Sequence, residues 1–202
     1  MIIIYFYIMR AILFLILGLV SFISCHSSFN KCAVRNPHVV SDFVLEKYLG
    51  KWYEQERDND VPFQSGECTT AEYVMADGYV KVINSELRPN MKERSVAEAK
   101  AYYPHPPVAK LLVNFGPEFL KHIKAALGTY WVLDTDYDSY SIVYSCTEVL
   151  GGIYSMEYVW ILTREKVISP ELFNVLVDKV VALGYPRERL RQQTKQGDEC
   201  IY

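Results

Sequence analysis

The sequence predicts an all-β protein, an eight-stranded antiparallel up-and-down barrel with one C-terminal α-helix packed on its outside. Three observations carry this expectation. Sixteen Tyr, nine Phe and three Trp among 202 residues favour strands, because aromatic and β-branched side chains fit a pleated surface. Between Gly50 and Thr163 apolar and polar residues alternate in runs of roughly six to ten, divided by turn residues, which is the period of strands with one buried face. From Pro170 onward the apolar period becomes that of a helix.

In chain order, residues 1–25 come first. Ala11 to Ile23 is an unbroken low-polarity run of 13 residues preceded by Arg10. It reads as a secretory signal peptide cut between Ser21 and Cys25, since spanning a hydrocarbon core of about 30 Å takes about 20 apolar residues. The apolar residues Ile2 to Tyr7 leave an uncleaved anchor open. A lipoprotein role for Cys25 is a weaker reading, because Phe22-Ile23-Ser24 lacks the usual Leu. Residues 26–202 then form one domain. Removing the leader takes one of 21 basic residues and none of 24 acidic ones, so the charge moves from −3 to 20 − 24 = −4. With no basic surplus to neutralise phosphates, the balance argues against a nucleic-acid partner.

The strands are expected at Lys51–Arg57, Cys68–Met75, Tyr79–Leu87, Val96–Tyr103, Ala109–Phe115, Thr129–Leu133, Tyr140–Cys146 and Tyr154–Thr163. Ala76-Asp77-Gly78 and Arg88-Pro89-Asn90 supply tight turns, and Pro104-His105-Pro106-Pro107 and Gly151-Gly152 supply breaks. Closing such a set into a barrel removes the exposed edges, and a two-sheet sandwich is the alternative. An eight-stranded barrel has room inside for one small ligand. After the strands, Leu172, Phe173, Leu176, Val177, Val180 and Leu183 recur at helical spacing. Ser169 is placed as N-cap, Pro170 at the first helical position and Gly184 just past the end. The outer wall of the sheet is the surface available to this apolar face.

Past the leader the cysteines are Cys32, Cys68, Cys146 and Cys200, an even number that fits two disulfides in an oxidising compartment. Three pairings are open at this point. No Cys-x-x-Cys or His-x-x-x-His spacing occurs and His38, His105 and His122 lie far apart, so no metal site is expected.

Three local patterns then occur in order. Asp42 to Leu49 leads into Gly50-Lys51-Trp52-Tyr53-Glu54. Asp134-Thr135-Asp136-Tyr137 follows the sixth strand, and Leu162-Thr163-Arg164 ends the eighth. With the strands between them, these patterns resemble the lipocalin family over roughly Cys32 to Cys200. The stretches Cys68 to Tyr73, Val82 to Leu87 and Tyr130 to Cys146 are similar to the branch holding apolipoprotein D and the insect bilin-binding and Lazarillo-type lipocalins. The resemblance implies a barrel floor built from Gly50, Trp52, Asp136, Tyr137 and Arg164, with the Arg164 guanidinium on the Trp52 indole, a cation–π contact of about 0.5–2 kcal/mol. It implies ligand-binding roles for Tyr73 and Asn84, and the pairings Cys32–Cys146 and Cys68–Cys200. Alternation back from Arg164 turns Leu162, Trp160 and Tyr158 inward, which makes Trp160 the first expected ligand contact. Tyr130 is a further candidate, although alternation does not decide whether it or Trp131 faces in. Glu54 and Glu56 share the inward parity of Trp52 and are assigned no catalytic role. Asn-x-Ser/Thr acceptors, frequent in this branch, are missing. The loops Asp58–Gly66 and Gly116–Leu127 depart from it. Phe115, Phe119, Leu120 and Ile123 could form an apolar lip at the open end.

The resemblance implies a secreted, extracellular carrier that holds a small hydrophobic ligand such as a fatty acid, sterol, retinoid or bilin. No resident cofactor is implied, a bilin or lipid being cargo. The alternative is an extracellular signalling protein acting through its exterior, and a cavity lipid isomerase is a distant third, since it needs a free activated Cys. A lipoprotein particle, a membrane surface or a receptor are the further partners this branch leaves open, and the oligomeric state is not legible.

Overall fold

The structure, a computed structural model, describes residues 37–88, 94–123, 127–149, 153–191 and 193–202. The expected leader, Cys32, the turn at Pro89-Asn90 and the break at Gly151-Gly152 lie outside these residues. The eight strands are β1 (Gly50–Arg57), β2 (Glu67–Ala76), β3 (Tyr79–Leu87), β4 (Arg94–Tyr102), β5 (Lys110–Asn114), β6 (Gly128–Thr135), β7 (Tyr140–Val149) and β8 (Tyr154–Thr163). Each pairs antiparallel with its sequence neighbours, and β1 pairs with β8, so the sheet is a closed barrel rather than a sandwich. β6 runs further than its alternation suggests, because a bulge between Val132 and Asp134 resets the phase and lets Thr135 still pair with Ser141.

Alternation sorts the strand residues into two cores. Val143, Leu162, Val82 and Val113 point into the barrel. Ile142, Tyr144, Val159 and Ile161 point out and are covered by Leu176, Val177 and Val180 of helix α2 (Pro170–Ala182). Ser169 caps α2 by accepting from the Leu172 N–H at 3.2 Å, and Gly184 follows with φ +97°, a turn that favours glycine. The short helix α1 (Leu45–Tyr48) crosses the closed end ahead of β1.

Two irregularities matter for the cavity. In β1 the register slips by one residue: Glu54 faces Leu162 but Glu56 faces Ile161 and Arg57 faces Trp160. Gln55 is the extra residue, and its amide donates to Thr163 Oγ1 at 2.8 Å. The bulge corrects the expected parity of Glu56, which turns to the outer side while Arg57 takes the inward place. Above Tyr53, β1 also leaves its pairing with β2. The C-terminal segment seals the gap: the N–H groups of Arg191 and Thr194 donate to the carbonyls of Arg57 and Gln55, and Cys68 N–H donates to the Lys195 carbonyl. The disulfide Cys68–Cys200 clamps this segment to β2, with Cα atoms 5.5 Å apart. Cys146 is disulfide-bonded as well.

Candidate ligand cavity

The closed end is built first. Trp52 is fully buried, its indole N–H donates to the Tyr48 carbonyl at 2.9 Å, and the Arg164 guanidinium lies 3.7 Å from its ring centroid. Arg164 also donates to the carbonyls of Tyr137 (3.0 Å), Lys51 (2.9 Å) and Lys47 (2.9 Å), stitching three chain segments together. A planar guanidinium with five N–H donors can stack and bridge at once, which Lys could not. Gly50, at φ +92°, takes a backbone conformation that side-chain-bearing residues rarely adopt, beside the same guanidinium. Asp136 Oδ1 accepts from the N–H groups of Ser139 (2.8 Å) and Tyr140 (3.0 Å), closing the turn between β6 and β7. Tyr137 holds φ +68° there.

Above the floor lies a row of hydroxyls. Tyr73 and Tyr130 bond at 2.7 Å, Tyr130 and Tyr48 at 2.8 Å, and Tyr48 and Ser141 at 2.9 Å. Burial pushes the Tyr48 hydroxyl up to about 12 and those of Tyr73 and Tyr130 well above the usual range. All three therefore stay protonated and serve as neutral hydrogen-bonding groups. Tyr130 is the inward member of its pair. Trp131 packs outside against Tyr144, with ring centroids 6.0 Å apart. Tyr48 belongs to this constellation although no strand period points to it, because it reaches in from α1.

The inner chamber over these hydroxyls has a volume of about 120 Å³, and Tyr73, Val82, Asn84, Val113, Tyr130 and Trp160 are among its walls. A wider outer chamber of about 340 Å³ opens toward Ser85, Glu86, Arg88 and Ala97. Phe63, Gln64, Thr69, Asn84 and Phe115 border both. Trp160 thus lines the cavity with Leu162, while Tyr158 sits nearer the mouth, edge-on to Phe63 at 5.9 Å. Trp160 N–H donates to Gln64 Oε1 at 2.8 Å, and Gln64 Nε2 donates to Glu54 Oε2 at 3.2 Å. Gln64 and Phe63 come from the β1–β2 loop, which carries no periodic signal, so sequence reasoning missed them. Glu54 lines the inner chamber and forms a buried ion pair with Arg57. Burial pushes its carboxyl up against the opposing pull of that arginine. At the rim Phe63, Phe115, Phe119 and Ile123 are exposed. Among the described residues no three His, Cys, Asp or Glu side chains gather as a metal site would require.

Comparison with known proteins agrees with this architecture. The lipocalin-like domain family matches residues 43–195. Apolipoprotein D of Rattus norvegicus is 40% identical over 151 residues, covering 74% of this chain and 75% of the relative. The Lazarillo protein of Schistocerca americana is 34% identical over 171 residues, covering 84% and 77%. Among solved structures, insecticyanin from the tobacco hornworm Manduca sexta superposes with a TM-score of 0.68 at 22% identity, over 87% of this chain and 92% of that one, a likeness of fold. With a closed eight-stranded barrel, an arginine on the floor tryptophan and a family match across three quarters of its length, the chain belongs to the lipocalin family.

Proposed function

We propose that this lipocalin is an extracellular carrier for a small hydrophobic molecule, a lipid or a bilin, and that binding is its whole activity. The observation that carries this reading is the cavity, which is walled mainly by apolar side chains, stopped below by Trp52 and Arg164 and open above through the outer chamber. Preformed apolar concavities with a few convergent polar groups are what small-molecule sites look like. Tyr73, Asn84, Tyr130 and Trp160 are the proposed contacts. Burying apolar surface at about 25 cal/mol per Å² drives the association. A carrier role also suits the chemistry present: the tyrosines along the floor are held protonated, and Cys68, Cys146 and Cys200 are tied in disulfides and supply no thiolate.

The test is titration of delipidated protein with a fatty acid, a sterol, a retinoid and a bilin, followed by intrinsic tryptophan fluorescence and native mass spectrometry. At least one should bind with one-to-one stoichiometry, and Trp160→Ala should weaken it by about ten-fold, equivalent to about 1.4 kcal/mol of contact. Binding unchanged in Trp160→Ala removes that residue from the site, and no binding by any class overturns the carrier reading.

A further inference from the structure

Two buried oxygens on one wall of the cavity, Thr69 Oγ1 and Asn84 Oδ1, have no hydrogen-bond partner among the described residues. Both residues border the inner and the outer chamber, so both sit at the neck between them. Asn84 stands opposite Ala71 in the β2–β3 pairing, and Thr69 lies two residues before Ala71, where the register shifts between Glu67 and Thr70, so the shared lining of both chambers is what brings the two side chains together. Buried polar atoms in folded proteins are nearly always satisfied, so a pair left unmatched at the neck of a cavity points to a group that arrives with the cargo.

The remaining polar groups of the inner chamber narrow the chemistry. Trp160 N–H is used by Gln64, the Gln64 amide by Glu54, and the Tyr73 and Tyr130 hydroxyls by each other. Among the described residues no Lys, Arg or His lines this chamber, whereas the Glu54 carboxyl does. Arg57, its counter-charge, is committed to Glu54 and to the Gly66 carbonyl at 2.8 Å. A cargo carboxylate at the neck would lose its water, and the cation of the outer chamber, Arg88, is already paired with Glu86 at 2.9 Å. A hydroxyl donates to Asn84 Oδ1 and accepts from the Thr69 hydroxyl, and it serves either orientation of the Asn84 amide because it both donates and accepts. An amide group does the same.

We propose that Thr69 and Asn84 form a polar subsite for the hydroxyl or amide group of an uncharged lipid, which the cavity selects over the carboxylate of the same chain. The inference rests on the carrier reading and specifies its cargo. It is tested with four ligands that share one acyl chain and differ only in headgroup (alcohol, primary amide, carboxylic acid, methyl ester), titrated at neutral pH into the delipidated full chain. Alcohol and amide should bind about ten-fold tighter than acid and ester, the effect expected when one buried hydrogen bond is left unmade. In Thr69→Val/Asn84→Leu the alcohol and the amide should lose their roughly ten-fold advantage over the ester. An acid or ester that binds as tightly as the alcohol overturns the subsite and leaves the carrier reading standing, as does a preference that survives the double substitution. Failure of all four ligands overturns the subsite, and the carrier reading is then decided by the sterol, retinoid and bilin titrations. The headgroup series on the unaltered protein decides the matter even where the substituted chain does not fold.

Discussion

Glu56 shows how much one residue's surroundings can decide. It is almost wholly buried, and the β1 bulge places it opposite Ile161 on the outer side. Burial pushes its carboxyl up from 4.5 to about 8, against the Arg57 N–H that donates to it at 3.0 Å. The folded chain therefore holds a proton that the unfolded chain releases, and stability falls as pH rises from 4.5 toward about 8. Glu56→Gln should remove that loss: urea unfolding should show no gain over the parent below pH 4.5 and a gain that grows to about pH 8. Trp52→Ala acts differently, emptying the floor under the Arg164 guanidinium, and should cost about 3–5 kcal/mol in the same assay at any pH. Which of these residues could be read beforehand follows from where phase is kept. Val82 and Asn84 keep alternation along β3, so their shared inward face is legible. Glu56 lies beyond a bulge that alternation cannot see, and Tyr130 precedes one that blurs counting back from Asp134.

At the scale of elements, the strands were legible from their period, and α2 from its stripe, its Ser169 cap and its terminal glycine. Ser169→Ala should cost about 1 kcal/mol, read by chemical denaturation, because the Leu172 N–H loses its acceptor. Since α2 shields Ile142, Val159 and Ile161, the loss should appear in global unfolding rather than as local fraying. The elements that escaped the sequence reading are those without a repeat. α1 has four residues, and Tyr48 enters the hydroxyl row from it. The β1–β2 loop supplies Phe63 and Gln64 to the neck through single side-chain contacts. The C-terminal segment fills the seam above Tyr53 as an unpaired strand would, yet its sequence from Arg191 to Gln196 is polar and without alternation. Its place is set by backbone hydrogen bonds and by polar side chains, Thr194 donating to Glu54 Oε1 at 2.9 Å and Gln196 to the Glu54 and Thr69 carbonyls at 2.8 Å, none of which leaves a period to read.

For the molecule as a whole, the Cys68–Cys200 bridge joins positions 132 residues apart. In the chain-entropy model a loop of about 100 residues is worth about 4.7 kcal/mol, an upper figure because strain is left out. Cys68→Ser/Cys200→Ser should therefore lower the unfolding free energy by up to about that amount, measured under non-reducing conditions, and should loosen the wall beside Thr69, whose carbonyl accepts from Gln196. The pairing of β1 with β8 has a consequence in time. Tyr53 meets Thr163 across most of the chain, and contacts so distant in sequence form late, because the intervening chain must first give up its loop entropy. Until that last pairing forms, both sheet margins stay open to neighbours. The hazard for this protein is thus concentrated in the interval before its ring shuts, and a cell making it in quantity would need helpers that shield an open sheet.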